Sequence, residues 1–388
     1  MSFLWLTRFP PYPPLRGGAL DYSRMLLASL AMQGPVTGLA FVPEQPVEQP
    51  ADGVTWETLP RSMPGKIKSL LSPLPNVAAR NVDTAYLRRA VELARSAEAV
   101  FVDFIAMSWL VEPLKAAMRD WAERPPLIVV THNHEHAVRL QMVRNTRSPA
   151  MRAALTLDAW KAGRLERRAN LAANGITAIT VADRDAFARD AATPSITLPP
   201  AYGGPAAATR TIGADTPRAA IILGNRDSHH KVMVLERTLA ALDAAGLPRA
   251  LHLQVAGGGD LDGFAARYPD IAFLGFVDDI VACLGKVRLG LLTDDIGGGF
   301  KIRAMTYAAL RVPMLALREA MHGMEFEEGV HYIAVDTLDE LAARAAVLID
   351  DLDTLNAVQE AAFAFAEARF APSEPGRRLA DFVARLSA

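Results

Sequence analysis

The chain has 388 residues, 51% of them hydrophobic, and this length and composition predict two domains, each with its own core. Its 41 basic and 43 acidic residues nearly cancel, so the net charge gives no reason to expect a nucleic-acid partner. The single cysteine, Cys283, excludes an intramolecular disulfide framework and a thiolate metal site, and it agrees with a reducing cytoplasm.

The start of the chain and its apolar runs predict a protein without a membrane span. Residues 1–8 lack the basic start and long apolar run of a signal peptide, and the prolines of residues 10–14 would end such a run early. No uninterrupted apolar stretch approaches the roughly 20 residues that cross a bilayer. We therefore expect a cytoplasmic protein that is soluble, or at most peripheral to the inner face of the membrane.

Short apolar runs alternate with amphipathic helical patterns, which is typical of parallel sheets covered by helices on both faces. The first strand leads through a proline-rich loop and Gly17-Gly18 into a helix with one apolar face. The strands predicted for the first domain are residues 3–6, 36–42, 99–104, 127–130 and 176–181. We predict an N-terminal α/β domain over residues 1–200.

A second strand and helix series follows a linker at residues 201–217, which is rich in Pro, Gly, Ala and Thr and has no apolar periodicity. Its predicted strands are residues 219–223, 251–256, 271–274, 289–293 and 314–317. This second domain is predicted over residues 218–369, with a final helix over residues 370–388. The predicted fold class is α/β, with two doubly wound domains.

Loops that leave the strands are the first places to look for a site, because ligands bind beyond the carboxyl ends of the strands in open α/β sheets. In the first such loop, Gly17 and Gly18 precede a helix, so a ligand can approach the backbone and an anion is favoured at the helix start. A tight turn without a ligand explains these residues equally well.

Three histidines and a glutamate lie within residues 131–136, after the strand ending at Val130. A metal site would need a further ligand cluster, which the sequence lacks, so no metal is predicted. We favour a polar contact in which His132 or His134 bonds a substrate hydroxyl or moves a proton. The alternative is a surface loop or helix cap.

Basic residues follow two strands of the second domain. Arg226 and Lys231, after residues 219–223, could neutralise a diphosphate, or they could form a solvated basic turn. Residues 297–299 are three glycines followed by Phe300 and Lys301 at a helix start, and this loop predicts phosphate binding. Residues 257–259 are also glycines but carry no lysine, so we interpret them as a flexible turn.

Several of these segments, taken in order, resemble glycosyltransferase family 4 and related bacterial polysaccharide sugar transferases over nearly the whole chain. They are PPYPPLRGG, HNHEH, VAGGGD, FLGFVDD and GGGFKIRAMTYAALRVPMLAL. The resemblance implies the GT-B fold, in which two Rossmann-like domains face a cleft. It implies an acceptor-binding N-terminal domain, a donor-binding second domain, and a C-terminal helix that returns to the N-terminal domain.

The resemblance also implies an activity, namely transfer of a sugar from a UDP- or GDP-type sugar to a saccharide or lipid-linked acceptor in polysaccharide or glycan synthesis. It implies no metal and no cofactor beyond the nucleotide sugar. His132 would face the transferred sugar, and Gly17 and Gly18 would lie near the donor phosphates or the acceptor. The residues implied in donor binding are Arg226, Lys231, Gly298, Gly299, Lys301 and Thr306.

The donor segment departs from the family at two positions, because relatives commonly carry two glutamates eight residues apart. Alignment on Lys301 and Pro313 places Gly298 and Thr306 there. Thr306 or Tyr307 could then bond donor groups, and a carboxylate could come from Glu325 or Glu327. The departure keeps two other functions open, a noncatalytic sugar-nucleotide-binding scaffold and an epimerase or phosphorylase of the same fold.

The sequence leaves the stereochemistry of transfer open. An inverting reaction needs a base in the N-terminal domain, for which Asp103 and His132 are the candidates, although Asp103 could instead cap the next helix. A retaining reaction needs no dedicated base.

Residues 61–71 combine cations with apolar residues, as a surface resting on anionic lipid would. An ordinary amphipathic helix has the same pattern. Related enzymes often use lipid-linked acceptors, so a peripheral membrane contact is predicted.

Overall fold

The computed structural model describes residues 1–13, 15, 18–47, 52–61, 72–146, 148–224, 226, 229–259, 261–294 and 300–387, with the backbone alone at residues 18, 145, 229 and 230. The chain separates into two compact units. Unit 1 contains residues 1–201 and 372–388, and unit 2 contains residues 202–371.

Unit 1 is built on a seven-stranded parallel sheet. Its strands are β1 (Phe3–Leu6), β2 (Val36–Phe41), β3 (Val54–Leu59), β4 (Ala99–Asp103), β5 (Leu127–Val130), β6 (Gly175–Ala178) and β7 (Ser195–Thr197). Their order is β3-β2-β1-β4-β5-β6-β7. The helices are α1 (Gly18–Ala31), α2 (Asn76–Ala79), α3 (Thr84–Ala94), α4 (Val111–Ala117), α5 (Glu135–Asn145), α6 (Pro149–Ala172) and α7 (Val181–Asp190).

The central strands β1, β4 and β5 are apolar, apart from Asp103 at the end of β4, because both of their faces are buried. The five strands predicted for the first domain are present, but the edge strands β3 and β7 were missed. Strand β3 alternates in character and is half exposed, so it lacks a continuous apolar run. The predicted strand over residues 176–181 was too long, because the Thr180 hydroxyl accepts from the Asp183 N–H (3.1 Å) and begins α7.

Unit 2 is built on a six-stranded parallel sheet. Its strands are β8 (Ala219–Leu223), β9 (His252–Ala256), β10 (Ala272–Gly275), β11 (Leu289–Leu292), β12 (Met314–Leu317) and β13 (Ile333–Val335). Their order is β10-β9-β8-β11-β12-β13. The helices are α8 (His229–Ala244), α9 (Leu247–Ala250), α10 (Asp262–Arg267), α11 (Ile280–Leu284), α12 (Ile302–Ala309), α13 (Leu338–Leu348) and α14 (Leu352–Arg369).

Both sheets are doubly wound, and in each the strand order reverses beside the first strand. The reversal lies between β1 and β4 in unit 1 and between β8 and β11 in unit 2. Loops that leave two such strands diverge to opposite faces of the sheet and leave a crevice at its carboxyl edge. These two edges are therefore where ligand sites are expected.

The last helix, α15 (Glu374–Ser387), belongs to unit 1 and packs on α1. Its buried Leu379 and Phe382 join the core that includes Leu26 and Leu30. The backbones of the two helices approach closely at Gly376, whose N–H donates to the Ser29 hydroxyl at 2.7 Å. None of the helices in the described part of the chain has the length and apolarity that a membrane crossing requires.

We expect Gly376→Ala to destabilise unit 1 by about 1–3 kcal/mol, because overpacking forces backbone shifts. A Cβ atom at this position would lie 2.0 Å from the Ser29 carbonyl oxygen. Urea unfolding followed by circular dichroism measures the effect. The control is Gly263→Ala in α10, where a Cβ meets nothing within 4 Å and alanine is a better helix former. Equal stability of the two variants would contradict the close packing of α1 and α15.

Candidate functional site

A cavity of about 610 Å³ lies in unit 2 at the carboxyl ends of β8 to β11. Its walls come from the loops after these four strands and from the first two turns of α8 and α12. The residues that line it are Leu223, Gly224, Arg226, Lys231, Val234, Leu235, Ala256, Gly257, Phe276, Val277, Ile280, Thr293, Asp294, Phe300, Lys301, Ile302, Arg303 and Thr306. The cavity therefore occupies the crevice where the strand order reverses.

Three of the cations predicted from the sequence, Arg226, Lys231 and Lys301, line this one cavity. The Arg226 N–H donates to the Gly258 carbonyl at 2.7 Å, so the glycine turn after β9 holds the loop after β8 in place. Burial lowers the pKa of Lys301, and the nearby carboxylate of Asp294 partly offsets this effect. Cations in a partly desolvated cavity attract an anion more strongly than cations on an open surface.

Arg303 is a fourth cation of the cavity, and we did not predict it from the sequence. Its Nη1 donates to the Leu223 carbonyl at 2.7 Å, and its Nη2 forms an ion pair with Asp294. These contacts join the ends of β8 and β11 to the start of α12. The sequence did contain a signal for Arg303, because it is a charged residue two positions after Lys301 in a helix that otherwise has an apolar face.

Thr306 lines the cavity, and its hydroxyl donates to the Ile302 carbonyl at 3.3 Å. The hypothesis that Tyr307 contacts the donor is wrong. Tyr307 is fully buried, and its hydroxyl donates to the Ile221 carbonyl at 2.9 Å and accepts from the Leu223 N–H at 3.0 Å. Neither Glu325, which pairs with Arg369, nor Glu327 lines the cavity.

Several predicted positions lie outside the described residues, namely Gly17, Gly298 and Gly299. Gly18 is the first residue of α1. Among the residues that are described, no group of three histidine, cysteine, aspartate or glutamate side chains could hold a metal ion. Metal independence stays a prediction.

Asp103 lies at the carboxyl end of β4, where the sheet of unit 1 reverses, and its side chain is buried. Its Oδ2 accepts hydrogen bonds from the Trp5 Nε1 (3.3 Å), the Thr7 hydroxyl (3.0 Å) and the Ser23 hydroxyl (2.7 Å). Its Oδ1 lies 2.7 Å from the His132 Nε2. Asp103 therefore does not cap the next helix. Its carboxylate, one of the two candidate bases, is instead bonded by the side chains of Trp5, Thr7, Ser23 and His132.

His132 is held in one orientation by Asp103 and by two aromatic rings. The Tyr22 and Phe104 ring centroids lie 5.2 Å and 5.0 Å from the imidazole centroid. The His132 Nδ1 is buried and has no hydrogen-bond partner within the described residues. A carboxylate at Nε2 favours a proton on that nitrogen, which leaves Nδ1 as the acceptor.

Phe104, which follows Asp103, has a backbone φ of 67°. This left-handed conformation is uncommon for a bulky residue and costs on the order of 1–3 kcal/mol. Such strain concentrates at functional sites. The left-handed conformation of Phe104 ends β4 at Asp103, one residue before the predicted end, and places the phenyl ring against His132.

The backbone of Glu135 and His136 fastens the start of α5 to α6. The Glu166 carboxylate of α6 accepts the backbone N–H groups of Glu135 (2.8 Å) and His136 (3.2 Å), which caps the first turn of α5. Burial raises the pKa of Glu166 to about 7. The His134 Nε2 lies 3.8 Å from the same carboxylate. His132 thus faces Asp103, whereas His134, Glu135 and His136 lie beside Glu166 and hold the start of α5 in place.

No family model matches the chain, and no curated protein matches it. Solved structures match over nearly its full length. Sucrose-phosphate synthase from Thermosynechococcus elongatus has a TM-score of 0.65 at 14% identity, over 99% of this chain and 98% of that one. Anabaena HepE in complex with UDP has a TM-score of 0.65 at 14% identity, over 99% and 100%. The lipopolysaccharide outer core galactosyltransferase WaaB has a TM-score of 0.63 at 11% identity, over 99% of each chain.

The two doubly wound parallel sheets and these structural neighbours establish the GT-B fold for this chain. The α/β class with two Rossmann-like domains, expected from the sequence, is thereby confirmed, and so is the resemblance to glycosyltransferases of GT-B fold. Membership of family 4 in particular stays a prediction.

Proposed function

We propose that this chain is a glycosyltransferase that moves a sugar from a nucleoside-diphosphate sugar to a saccharide or lipid-linked acceptor, without a metal. The observation that carries the proposal is the cavity of unit 2, where Arg226, Lys231 and Lys301 converge at the reversal point of a doubly wound sheet. Such crevices bind nucleotides. The UDP bound by HepE, a structure of the same fold, supports a nucleotide as the ligand.

The cavity offers the two environments that a nucleoside diphosphate requires. Its cations neutralise the diphosphate, and neutralisation counts most when the sugar departs and negative charge builds on the leaving oxygen. Its apolar wall, with Phe276, Val277 and Ile280, suits the flat base. We propose the diphosphate role for Lys231 and for Gly298 and Gly299 of the glycine loop, beside Arg226 and Lys301.

Transfer forms a bond between the acceptor oxygen and the anomeric carbon and breaks the bond from that carbon to the diphosphate oxygen. The acceptor hydroxyl also loses a proton. We propose that the His132 Nδ1 takes this proton, and that Asp103 stabilises the resulting imidazolium through Nε2. Asp103 is thus a positioning residue, and His132 is the base.

Turnover assays with UDP- and GDP-linked sugars test the activity. The purified chain is mixed with each donor and a set of saccharide acceptors, and release of the nucleoside diphosphate is measured together with the glycosylated product. We expect one nucleotide class to support transfer. Binding of a nucleotide sugar without turnover on any acceptor would contradict catalysis.

A noncatalytic sugar-nucleotide-binding protein is the second candidate, and the position of Thr306 favours it. Thr306 lies in the cavity where relatives carry a glutamate, and Asp294, the one carboxylate among the described lining residues, is paired with Arg303. The described lining residues can still hold a diphosphate, but they offer no unpaired carboxylate to orient the sugar hydroxyls. The turnover assay separates this candidate from the enzyme.

We propose that the chain acts at the cytoplasmic face of a membrane when its acceptor is lipid-linked, through residues 61–71, of which residues 62–71 lie outside the described part of the chain. We expect Lys66→Glu/Lys68→Glu to lose co-sedimentation with vesicles that contain anionic lipid, because each basic residue near such a surface contributes about 1 kcal/mol. Lys286→Glu, at an exposed site in unit 2, is the control. Equal co-sedimentation of both variants would refute the contact.

A further inference from the structure

Three arginines of unit 1 form a cluster that the activity proposed above does not use. Arg8 follows β1, Arg61 follows β3, and Arg80 ends α2. The Arg61 Nη2 donates to the Arg80 carbonyl oxygen at 3.3 Å. Because β3, β2 and β1 are neighbours in a parallel sheet, the loops after them share one carboxyl edge. We name Arg8, Arg61 and Arg80 the arginine cluster.

The charges of Arg8 and Arg61 are poorly compensated within the described part of the chain. Within the described residues neither Arg8 nor Arg61 forms an ion pair, and the carboxylate that acts on both is that of Glu44. The Nε atoms of Arg8 and Arg61 are buried and have no hydrogen-bond partner there. The pKa of Arg61 is lowered to about 10, mainly by burial and to a lesser extent by the charges of Arg8 and Arg80. Partly buried cations that repel one another destabilise the chain unless an anion joins them.

Aromatic rings hold two of these guanidinium groups in place. The Cζ atoms of Arg8 and Arg61 lie 4.6 Å and 5.4 Å from the centroid of the Phe9 ring. A cavity of about 350 Å³ beside them is lined by Phe9, Val42, Glu44, Pro60 and Arg61. Guanidinium groups fixed against an aromatic ring lose little entropy on binding and present two parallel N–H donors to an oxyanion.

We propose that the arginine cluster binds a phosphate or diphosphate group on the acceptor substrate. This assignment of an acceptor rests on the proposed function, whereas the anion site itself rests on the cluster alone. A phosphate group supplies the negative charge that the guanidinium groups of Arg8 and Arg61 need, and its oxygens accept the bidentate bonds that arginine donates. The donor cations Arg226 and Lys301 belong to unit 2, whereas the arginine cluster belongs to unit 1.

Titration calorimetry with inorganic pyrophosphate, on protein first saturated with UDP, tests the site. We expect Arg8→Gln and Arg61→Gln each to weaken pyrophosphate binding by at least about tenfold, because each removes charge-assisted hydrogen bonds. Arg61→Lys keeps the charge but loses the paired donors, so we expect an intermediate loss of pyrophosphate affinity. This graded result would show that the weaker binding of the glutamine variants does not come from misfolding. The control is Arg119→Gln, at an exposed site of unit 1. Unchanged binding in both Arg8→Gln and Arg61→Gln would overturn the site.

Competition experiments identify the source of the phosphate. Glucose 6-phosphate represents a soluble sugar phosphate, and farnesyl diphosphate in detergent micelles represents a lipid-linked acceptor. Displacement of pyrophosphate by either one supports an acceptor site and assigns its class, whereas displacement by neither would overturn the acceptor role. Pyrophosphate binding that depends on Arg8 and Arg61 in a chain that binds no UDP would leave the anion site standing while the proposed glycosyltransferase function fails.

Discussion

His132→Gln is expected to lower the rate constant of sugar transfer by about 10²- to 10⁴-fold, the range over which a positioned general base contributes. The glutamine amide can still donate to the Asp103 carboxylate, which now lies 2.7 Å from the His132 Nε2, so the buried carboxylate keeps a partner. It cannot take a proton from the acceptor. We therefore expect kcat to fall while the KM for the nucleotide sugar and the melting temperature change little.

His136→Gln is the matched control, because His136 lies in the same loop but its Nδ1 contacts the Ala159 carbonyl (3.1 Å) instead of Asp103. Its kcat should stay within about twofold of the wild-type value, since only a half-buried hydrogen bond away from Asp103 changes. Asp103→Asn should give a smaller loss than His132→Gln, because Asp103 acts through the imidazole. A His132→Gln enzyme with at least a third of the wild-type kcat would refute the base role and assign the proton to a donor phosphate oxygen.

Arg226→Ala and Lys301→Ala are each expected to weaken the binding of a nucleoside diphosphate by about tenfold to a hundredfold. A charge-assisted hydrogen bond in a partly desolvated site contributes about 1.5–3 kcal/mol, which corresponds to this range. Both residues line the same cavity of unit 2. The effect on a nucleoside monophosphate should be smaller, because the cations are proposed to act on the diphosphate. Titration calorimetry with UDP, GDP and the corresponding monophosphates measures the difference.

Lys286→Ala and Arg344→Ala remove the same types of charge at exposed positions of unit 2 and serve as controls. They should bind nucleotides as the wild-type chain does, since salt screens isolated surface charges. An equal loss in the controls would mean that net charge, and not the cavity, governs binding. An equal loss for monophosphates and diphosphates would contradict the diphosphate role of Arg226 and Lys301.

The elements predicted best from the sequence are those whose burial is uniform. Strands β5, β8 and β12 are apolar throughout because helices cover both of their faces, and their predicted bounds are those observed. The edge strands gave weaker patterns. Strand β3 alternates in character, and β7 and β13 have three residues each, so an apolar run could not reveal them.

The candidate site could be predicted where a charge follows a strand in the chain, as at Arg226 and Lys301. Arg303 was missed because it lies inside a helical pattern. Tyr307 was assigned wrongly because neighbouring helical residues point about 100° apart, so Thr306 faces the cavity while Tyr307 faces the sheet. The pairing of Asp103 with His132, and the arginine cluster, depend on which strands lie side by side, which local patterns do not specify.

The most direct test of the donor-binding claim is the melting temperature of the wild-type chain, recorded with UDP, GDP and their monophosphates at equal concentrations. A ligand that binds only the folded state must raise the melting temperature. We predict that one nucleoside diphosphate raises it clearly, that its monophosphate raises it less, and that the rise disappears in Arg226→Ala/Lys301→Ala. A chain whose melting temperature responds to no nucleoside diphosphate would contradict the proposal that unit 2 holds a nucleotide-sugar donor.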